Sequence, residues 1–241
     1  MRIRLDRWIA TLGLCSRSQG KDWIRAGRIQ VGGREIRDPT FLAETESASL
    51  MADGREVDGR LCRHVMLHKP PDVLTAARDP KQPTVMDLLP EVYGRIGCMP
   101  VGRLDRDTTG LLLLTTDGAL NHRLLAPGRH VEKRYRALVR GRLTEDSVRR
   151  FAEGLDLGDF VARPAELRIL NAGADTSLAE VCLSEGKFHQ VKRMFDAVGH
   201  EVLRLHRQAF GPLVLEDEPA EGHWRELTET EVRQLYEAAG L

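Results

Sequence analysis

Hydrophobic positions along the 241-residue chain repeat with two different periods. Near the start, Leu5, Trp8, Ile9 and Leu12 fall at i, i+3, i+4 and i+7, which predicts one buried stripe on a first helix ended by Gly13. Ser16 or Ser18 is placed to cap a second helix running to about Ala26, and Gly27 suits the left-handed position beyond its end. Arg28 to Val31, Gly32-Gly33 and Arg34 to Ile36 then read as a small hairpin. Farther along, short apolar and β-branched runs at Val65–Leu67, Leu111–Leu114, Tyr135–Val139 and Leu178–Leu183 predict strands.

Helical spacing returns between these runs. Asp117 is placed to cap a helix through Leu125, and Thr144 one carrying Val148, Phe151, Ala152 and Leu155. His189 to Val198 is amphipathic, with Val191, Met194, Phe195 and Val198 on its buried stripe and Gly199 at its end. Thr228 and Glu231 form a capping box for a last helix. Residues 48–62 are polar and rich in Asp and Gly, as expected where one domain hands over to the next. The stretch holding Pro80, Pro83 and Pro90 is expected to be irregular. Strands interspersed irregularly with helices predict an α+β fold with a mixed, largely antiparallel sheet rather than a βαβ repeat. The expected organisation is a small domain at 1–60, two helices plus a hairpin, followed by a larger domain at 61–241.

Composition excludes several function classes. No apolar run approaches the roughly 20 residues needed to span a bilayer, and the first residues lack the apolar core of a secretory signal. The four cysteines are scattered without paired metal spacing, which fits free thiols in a reducing cytoplasm and no metal site. Net charge is zero, with 36 basic and 36 acidic residues, but the distribution is lopsided. Residues 1–37 hold nine Arg and Lys against three acids, whereas residues 212–241 hold eight acids against two arginines. A basic module facing phosphates and an acidic tail facing away account for that asymmetry. On the predicted second helix Arg17, Lys21 and Arg25 are four apart and share one face.

The densest chemistry lies in Gly102-Arg103-Leu104-Asp105-Arg106-Asp107-Thr108-Thr109-Gly110. Two carboxylates and two arginines crowd a polar turn directly before a strand apolar enough for a sheet core. Function tends to sit on loops held by such rigid elements, although Asp and Gly are also ordinary turn residues and Arg–Asp pairs ordinary surface chemistry. The residues alone leave both readings open, and do not choose between Asp105 and Asp107.

This segment, running on through Leu111–Leu114 to Gly118, resembles the signature of the RNA pseudouridine synthases of the RsuA type. HVEKRY at 130–135, EGKFHQVKRMF at 185–195 and LHRQAFGPLVL at 205–215 match in the same order, and His68-Lys69-Pro70-Pro71 resembles the family's Lys-Pro turn with His68 where asparagine is common. Leu5-Asp6, Ser16-Arg17-Ser18, Ile24, Gly27-Arg28 and Val31 resemble the small RNA-binding domain first recognised in ribosomal protein S-four, with Gly20 standing where alanine is usual. A glycine inside a helix costs roughly 1 kcal/mol, so a softer second helix is expected.

The resemblance implies isomerisation of a uridine to pseudouridine after base flipping. That reaction moves a glycosidic bond from nitrogen to carbon without net redox change or hydrolysis, and so calls for no cofactor and no metal. The first Asp of the motif, Asp105, is implied as the nucleophile, a role that suits a carboxylate ionised well above its ordinary pKa of about 3.9. Asp107 is implied as a turn-forming acceptor, Arg103 as a holder of the extruded nucleotide, Tyr135 as the surface that stacks on the base, and Lys192 as the cation paired with Asp105. His189 is expected to be structural or to touch RNA. Arg17, Lys21, Arg25 and Arg28 are implied as RNA contacts. HVEKRY with HQVKRM leans toward small-subunit ribosomal RNA, either free or in an assembling particle, for a cytoplasmic monomer. The alternatives are a large-subunit synthase, a non-catalytic ribosome-assembly factor, and a glycosidase using Asp105 and Asp107.

Overall fold

The structure, a computed structural model, describes residues 2–45, 48–215 and 220–241. The chain forms two compact units, one of residues 1–63 with 89–99 and one of residues 64–88 with 100–241.

In the first unit, helices α1 (Leu5–Thr11) and α2 (Arg17–Arg25) bury Leu5, Trp8, Ile9, Leu12 and Ile24 in a single core. Ser16 caps α2 through a full capping box with Gln19. Gly20 is more than a weak point in that helix: a Cβ there would lie 2.9 Å from the Ile9 side chain and 3.3 Å from Cys15 Sγ. The absent side chain lets the two helices approach closely. The expected hairpin pairs Ile29–Val31 with Arg34–Glu35 across Gly32 and Gly33, both at positive φ.

The expected handover at 48–62 is corrected. Leu50–Ala52 and Arg55–Val57 are strands, and Leu50–Ala52 pairs with Ile29–Val31 to extend the hairpin into a four-stranded sheet. Asp53-Gly54 is a tight turn with both residues at positive φ, so the polarity marked a hairpin tip rather than a linker. Trp8, fully buried, donates its indole N–H to the Gly59 carbonyl at 2.7 Å and ties the end of this segment to the core. In the proline-rich stretch a short helix, α3 (Glu91–Arg95), belongs to this unit and sets Val92 and Ile96 against the same core.

The second unit is built on a mixed sheet with strands in the order 166–172, 176–183, 133–140, 202–210, 109–115, 64–69 and 224–226. Every neighbouring pair is antiparallel except 202–210 with 109–115. The fold is therefore α+β with a largely antiparallel sheet. Leu111 to Leu114 are all fully buried, so the central strand is covered on both faces. Leu111 and Leu113 pack with α4 (Gly118–Leu125) and α7 (Glu229–Ala239) through Leu120, Leu124, Leu235 and Ala239. Asp117 caps α4 by accepting from the Ala119 and Leu120 amides, and Thr228 and Glu231 form the expected capping box on α7. Thr144 occupies the N-cap of α5 (Glu145–Glu153) without the expected side-chain hydrogen bond. Helix α6 spans Gln190–Ala197 and begins one residue after His189, whose φ of 50° starts the turn.

The one parallel pairing constrains the signature loop. His206 faces Thr109 and Arg207 faces Gly110 across it. Gly110 has φ +105°, and a Cβ there would lie 2.2 Å from the Arg207 carbonyl oxygen. No flexible side chain stands in between to move aside. Gly110→Ala is therefore expected to destabilise the protein by about 2–5 kcal/mol, from strained φ and overpacking combined. A urea midpoint equal to wild type, with unchanged m-value, would show that the strands can part without cost.

Candidate active site

The loop before the central strand is held from beneath by a fully buried lysine. Lys69, at the end of strand 64–69, donates from Nζ to the carbonyls of Pro70, Arg106 and Thr108 at 2.9, 3.0 and 3.1 Å. Thr75 adds a second anchor, its hydroxyl donating to Leu104 O at 2.8 Å. The Asp72 amide donates to Arg106 O at 2.9 Å, and Thr108 N closes the turn on Asp105 O at 3.1 Å. Hydrogen bonds thus fix both sides of Asp105 and Asp107.

Above these anchors the carboxylates meet one cation. Lys192, on α6, lies 2.7 and 2.8 Å from the two Asp107 oxygens and 3.5 Å from Asp105 Oδ2. The ammonium thus lies within ion-pair distance of both groups, Asp105 among them, and its hydrogen bonds go to Asp107. Asp107 is largely exposed, and its carboxylate accepts from Lys192 rather than serving only as a turn acceptor. Partial burial opposes its ionisation, but the Lys192 ammonium outweighs that and holds its carboxyl below the usual range. His189 brings Nε2 to 3.5 Å from Asp105 Oδ1 and stacks on exposed Phe188, ring centroids 3.8 Å apart.

Asp105 lies at a cavity of about 130 Å³ that Arg103, Tyr135, His189, Lys133 and Arg207 also line. A cavity of about 150 Å³ holds a benzene, so this one is scaled to a single six-membered ring. Tyr135 lies on strand 133–140 and is buried against the cavity. Arg103 is exposed at the cavity and makes no ion pair among the described residues. The cavity thus brings together Asp105, Tyr135 and Arg103, while Lys192 reaches Asp105 from α6 beside it.

The basic residues of the first unit are more engaged than a solvated face would be. Arg17 lies 3.4 Å from Asp6, a fully buried carboxylate that also accepts from Arg4. Arg28 binds Asp53 with Nε at 2.6 Å from Oδ1, and its guanidinium sits 4.0 Å above the Trp23 ring. Arg25 approaches Asp22 at 3.6 Å, whereas Lys21 makes no hydrogen bond or ion pair among the described residues.

Sequence reasoning gave no role in the base-holding cavity to Lys133, Arg207 or Thr75. A signal existed for the first two: each is a charge at a position whose strand neighbours two residues away, Tyr135 and Leu205, face inward.

Comparison with known proteins identifies this architecture. Residues 63–197 match the RNA pseudouridylate synthase family, and residues 3–47 match the S4 domain. The chain belongs to the RNA pseudouridylate synthase family. It is 38% identical over 232 residues to the ribosomal small subunit pseudouridine synthase A of Pseudomonas aeruginosa, covering 95% of this chain and 99% of that protein. An uncharacterized RNA pseudouridine synthase of Bacillus subtilis is 36% identical, with 98% and 99% covered. A crystal structure of a pseudouridylate synthase superposes with a TM-score of 0.67 at 32% identity, covering 97% of this chain and 99% of that one. The chain is thus an RNA pseudouridine synthase with an RNA-binding domain at its N-terminal end, and among the described residues no helix is long and apolar enough to cross a membrane.

Burial pushes the Lys69 ammonium down to about 8 from its ordinary 10.5, against the pull of Asp107 and Asp105. Between these values the unfolded chain holds a proton that the folded one has released, so stability rises with pH across about 8 to 10.5. Lys69→Met would lack that rise and would leave three carbonyls without their donor, at a cost of about 3–5 kcal/mol near neutrality. Urea midpoints at pH 7.5 and 9.5 check both points. A wild-type-to-variant gap that fails to widen at the higher pH would contradict the depressed lysine.

Proposed function

We propose that this protein isomerises a uridine of small-subunit ribosomal RNA, with Asp105 as the nucleophile. The observation that carries this reading is Asp105 at a cavity sized for one base, with Tyr135 in the same wall and Lys192 at 3.5 Å. An aromatic face is worth roughly 1–3 kcal/mol to an unstacked base, which suits Tyr135 to holding the flipped uracil. Lys192 lies within ion-pair distance of Asp105 while its hydrogen bonds go to Asp107. Arg103, exposed at the cavity and without an ion pair among the described residues, meets the phosphate backbone beside the extruded nucleotide. The choice of the small subunit is supported by the relatives named for it and by the HVEKRY and HQVKRM blocks.

Residues 1–60 act as the RNA anchor and residues 61–241 as the catalytic domain. Lys21 and Arg25 contact phosphates directly, while Arg17 and Arg28, steadied by Asp6 and Asp53, present fixed guanidinium groups. The protein works in the cytoplasm as a monomer on ribosomal RNA or an assembling subunit, and the reaction itself calls for no metal or redox cofactor.

Tritium release from RNA labelled at uracil C5 tests the proposal, with small- and large-subunit RNA and their particles as substrates. Release is expected from the small-subunit substrate and is expected to vanish in Asp105→Asn while RNA binding persists. Release from large-subunit RNA instead would reassign the substrate. Free uracil among the products would indicate a glycosidase. No release from any RNA would leave an RNA-binding assembly factor.

A further inference from the structure

The cavity holds two cations, Lys133 and Arg207, that form no ion pair among the described residues. Lys133 and Tyr135 lie two apart on strand 133–140 and so share its inward face. On strand 202–210, Arg207 and Phe210 are three apart, and a regular strand would turn them to opposite faces. The pairing instead skips a residue: Tyr135 faces Arg207, Arg134 faces Ala209 and Lys133 faces Phe210, leaving Gln208 as a bulge. The bulge brings Arg207 and Phe210 to the cavity together. Lys133 Nζ lies 5.6 Å and the Arg207 guanidinium 5.3 Å from the centre of the Phe210 ring.

Both side chains are nine-tenths or more buried. Arg207 donates from Nε to Leu111 O at 2.7 Å, but its Nη2 is buried without a hydrogen-bond partner among the described residues. Lys133 makes no hydrogen bond or ion pair among the described residues. The carboxylate that acts on it is Glu185, whose Oε1 already accepts from the Arg163 amide and the Gln190 side chain. Adjacent unpaired cations in a buried site are costly, and a ligand that brings negative charge would relieve them.

Uracil brings that charge only during the reaction, so this inference rests on the synthase reading above. When the C1′–N1 bond breaks, its electron pair stays on N1, and the detached base is an anion whose charge spreads over O2 and O4. Meanwhile the Asp105 carboxylate holds C1′; later C5 bonds to C1′ as the C1′–Asp105 bond breaks and frees the carboxylate, C5 releases its proton and N1 gains one, so that no net charge remains on the base. We propose that Lys133 and Arg207 form an anion hole that holds the detached uracil by its carbonyl oxygens. The neutral base of bound RNA calls on these cations weakly and the departing base strongly, so their contribution falls on turnover rather than on RNA binding.

Burial, aided by Arg207, pushes the Lys133 ammonium down to about 8, with Glu185 opposing. The other charged groups on the cavity are Arg103, Asp105, Lys187 and His189, while strand 176–183 faces Lys133 with apolar Leu183. The anion hole therefore loses half its charge above about pH 8.

The test uses the full chain and single-turnover tritium release from its substrate RNA. Lys133→Met is expected to slow release about 10²–10³-fold, as for loss of one oxyanion-hole donor, with the RNA dissociation constant within threefold of wild type. Lys133→Arg is expected to retain most of the rate and to move the alkaline limb upward from about pH 8. Since the methionine variant removes a buried charge, it is expected to fold; should it not, the pH profile of the arginine variant decides the matter. A wild-type rate in Lys133→Met, a loss of binding equal to the loss of rate, or an alkaline limb unmoved by arginine would each overturn the proposal. No release even from the wild-type enzyme would instead overturn the synthase reading on which it rests.

Discussion

Lys69 Nζ has three hydrogens and is fully buried, and it places them on three backbone carbonyls, of Pro70, Arg106 and Thr108. Two of those acceptors flank Asp107, so one ammonium group settles where the loop turns and which way its carboxylates project. Everything above it follows from that fixing. Asp105 and Asp107 can share Lys192 because their backbone is held.

The second constraint is the parallel contact between strands 109–115 and 202–210. It requires a residue without a side chain at position 110, because the Arg207 backbone occupies the space a Cβ would fill. The glycine that ends the signature segment is thus a condition of sheet assembly, while the aspartates before it carry the chemistry. Sequence similarity in this segment therefore reports fold and reaction together.

Much of the fold was legible because its signals are local. The stripe Leu5, Trp8, Ile9 and Leu12, the cap at Asp117, the box at Thr228 and Glu231, and the run Leu111–Leu114 each encode their element within one or two turns. What escaped depends on distant partners. Leu50–Ala52 is a strand because Ile29–Val31 lies beside it, and its polar tip at Asp53-Gly54 imitates a linker in composition. The site divides in the same way. Asp105, Tyr135 and Arg103 were named from their motifs, but nothing local in the sequence says that Gln208 bulges or that Lys133 and Arg207 meet over one phenylalanine.

The sharing of Lys192 bears on how a carboxylate can have a cation beside it and still be available. A direct ammonium–carboxylate bond stabilises the anion but engages the lone pairs that would attack. Here Asp107 takes the short bonds, at 2.7 and 2.8 Å, and leaves Lys192 at 3.5 Å from Asp105, beyond the usual range of a strong hydrogen bond. At that separation the Coulomb attraction persists while the directional bond does not. Asp107 then acts as a restraint on the cation, and the two-residue spacing of the aspartates matters because it lets one hold the lysine while the other faces the cavity. The opposite sign is arranged at Lys133 and Arg207, where cations are left uncompensated. On the synthase reading, the same cavity keeps an available anion for the sugar and available cations for the base, the two fragments into which the glycosidic bond divides.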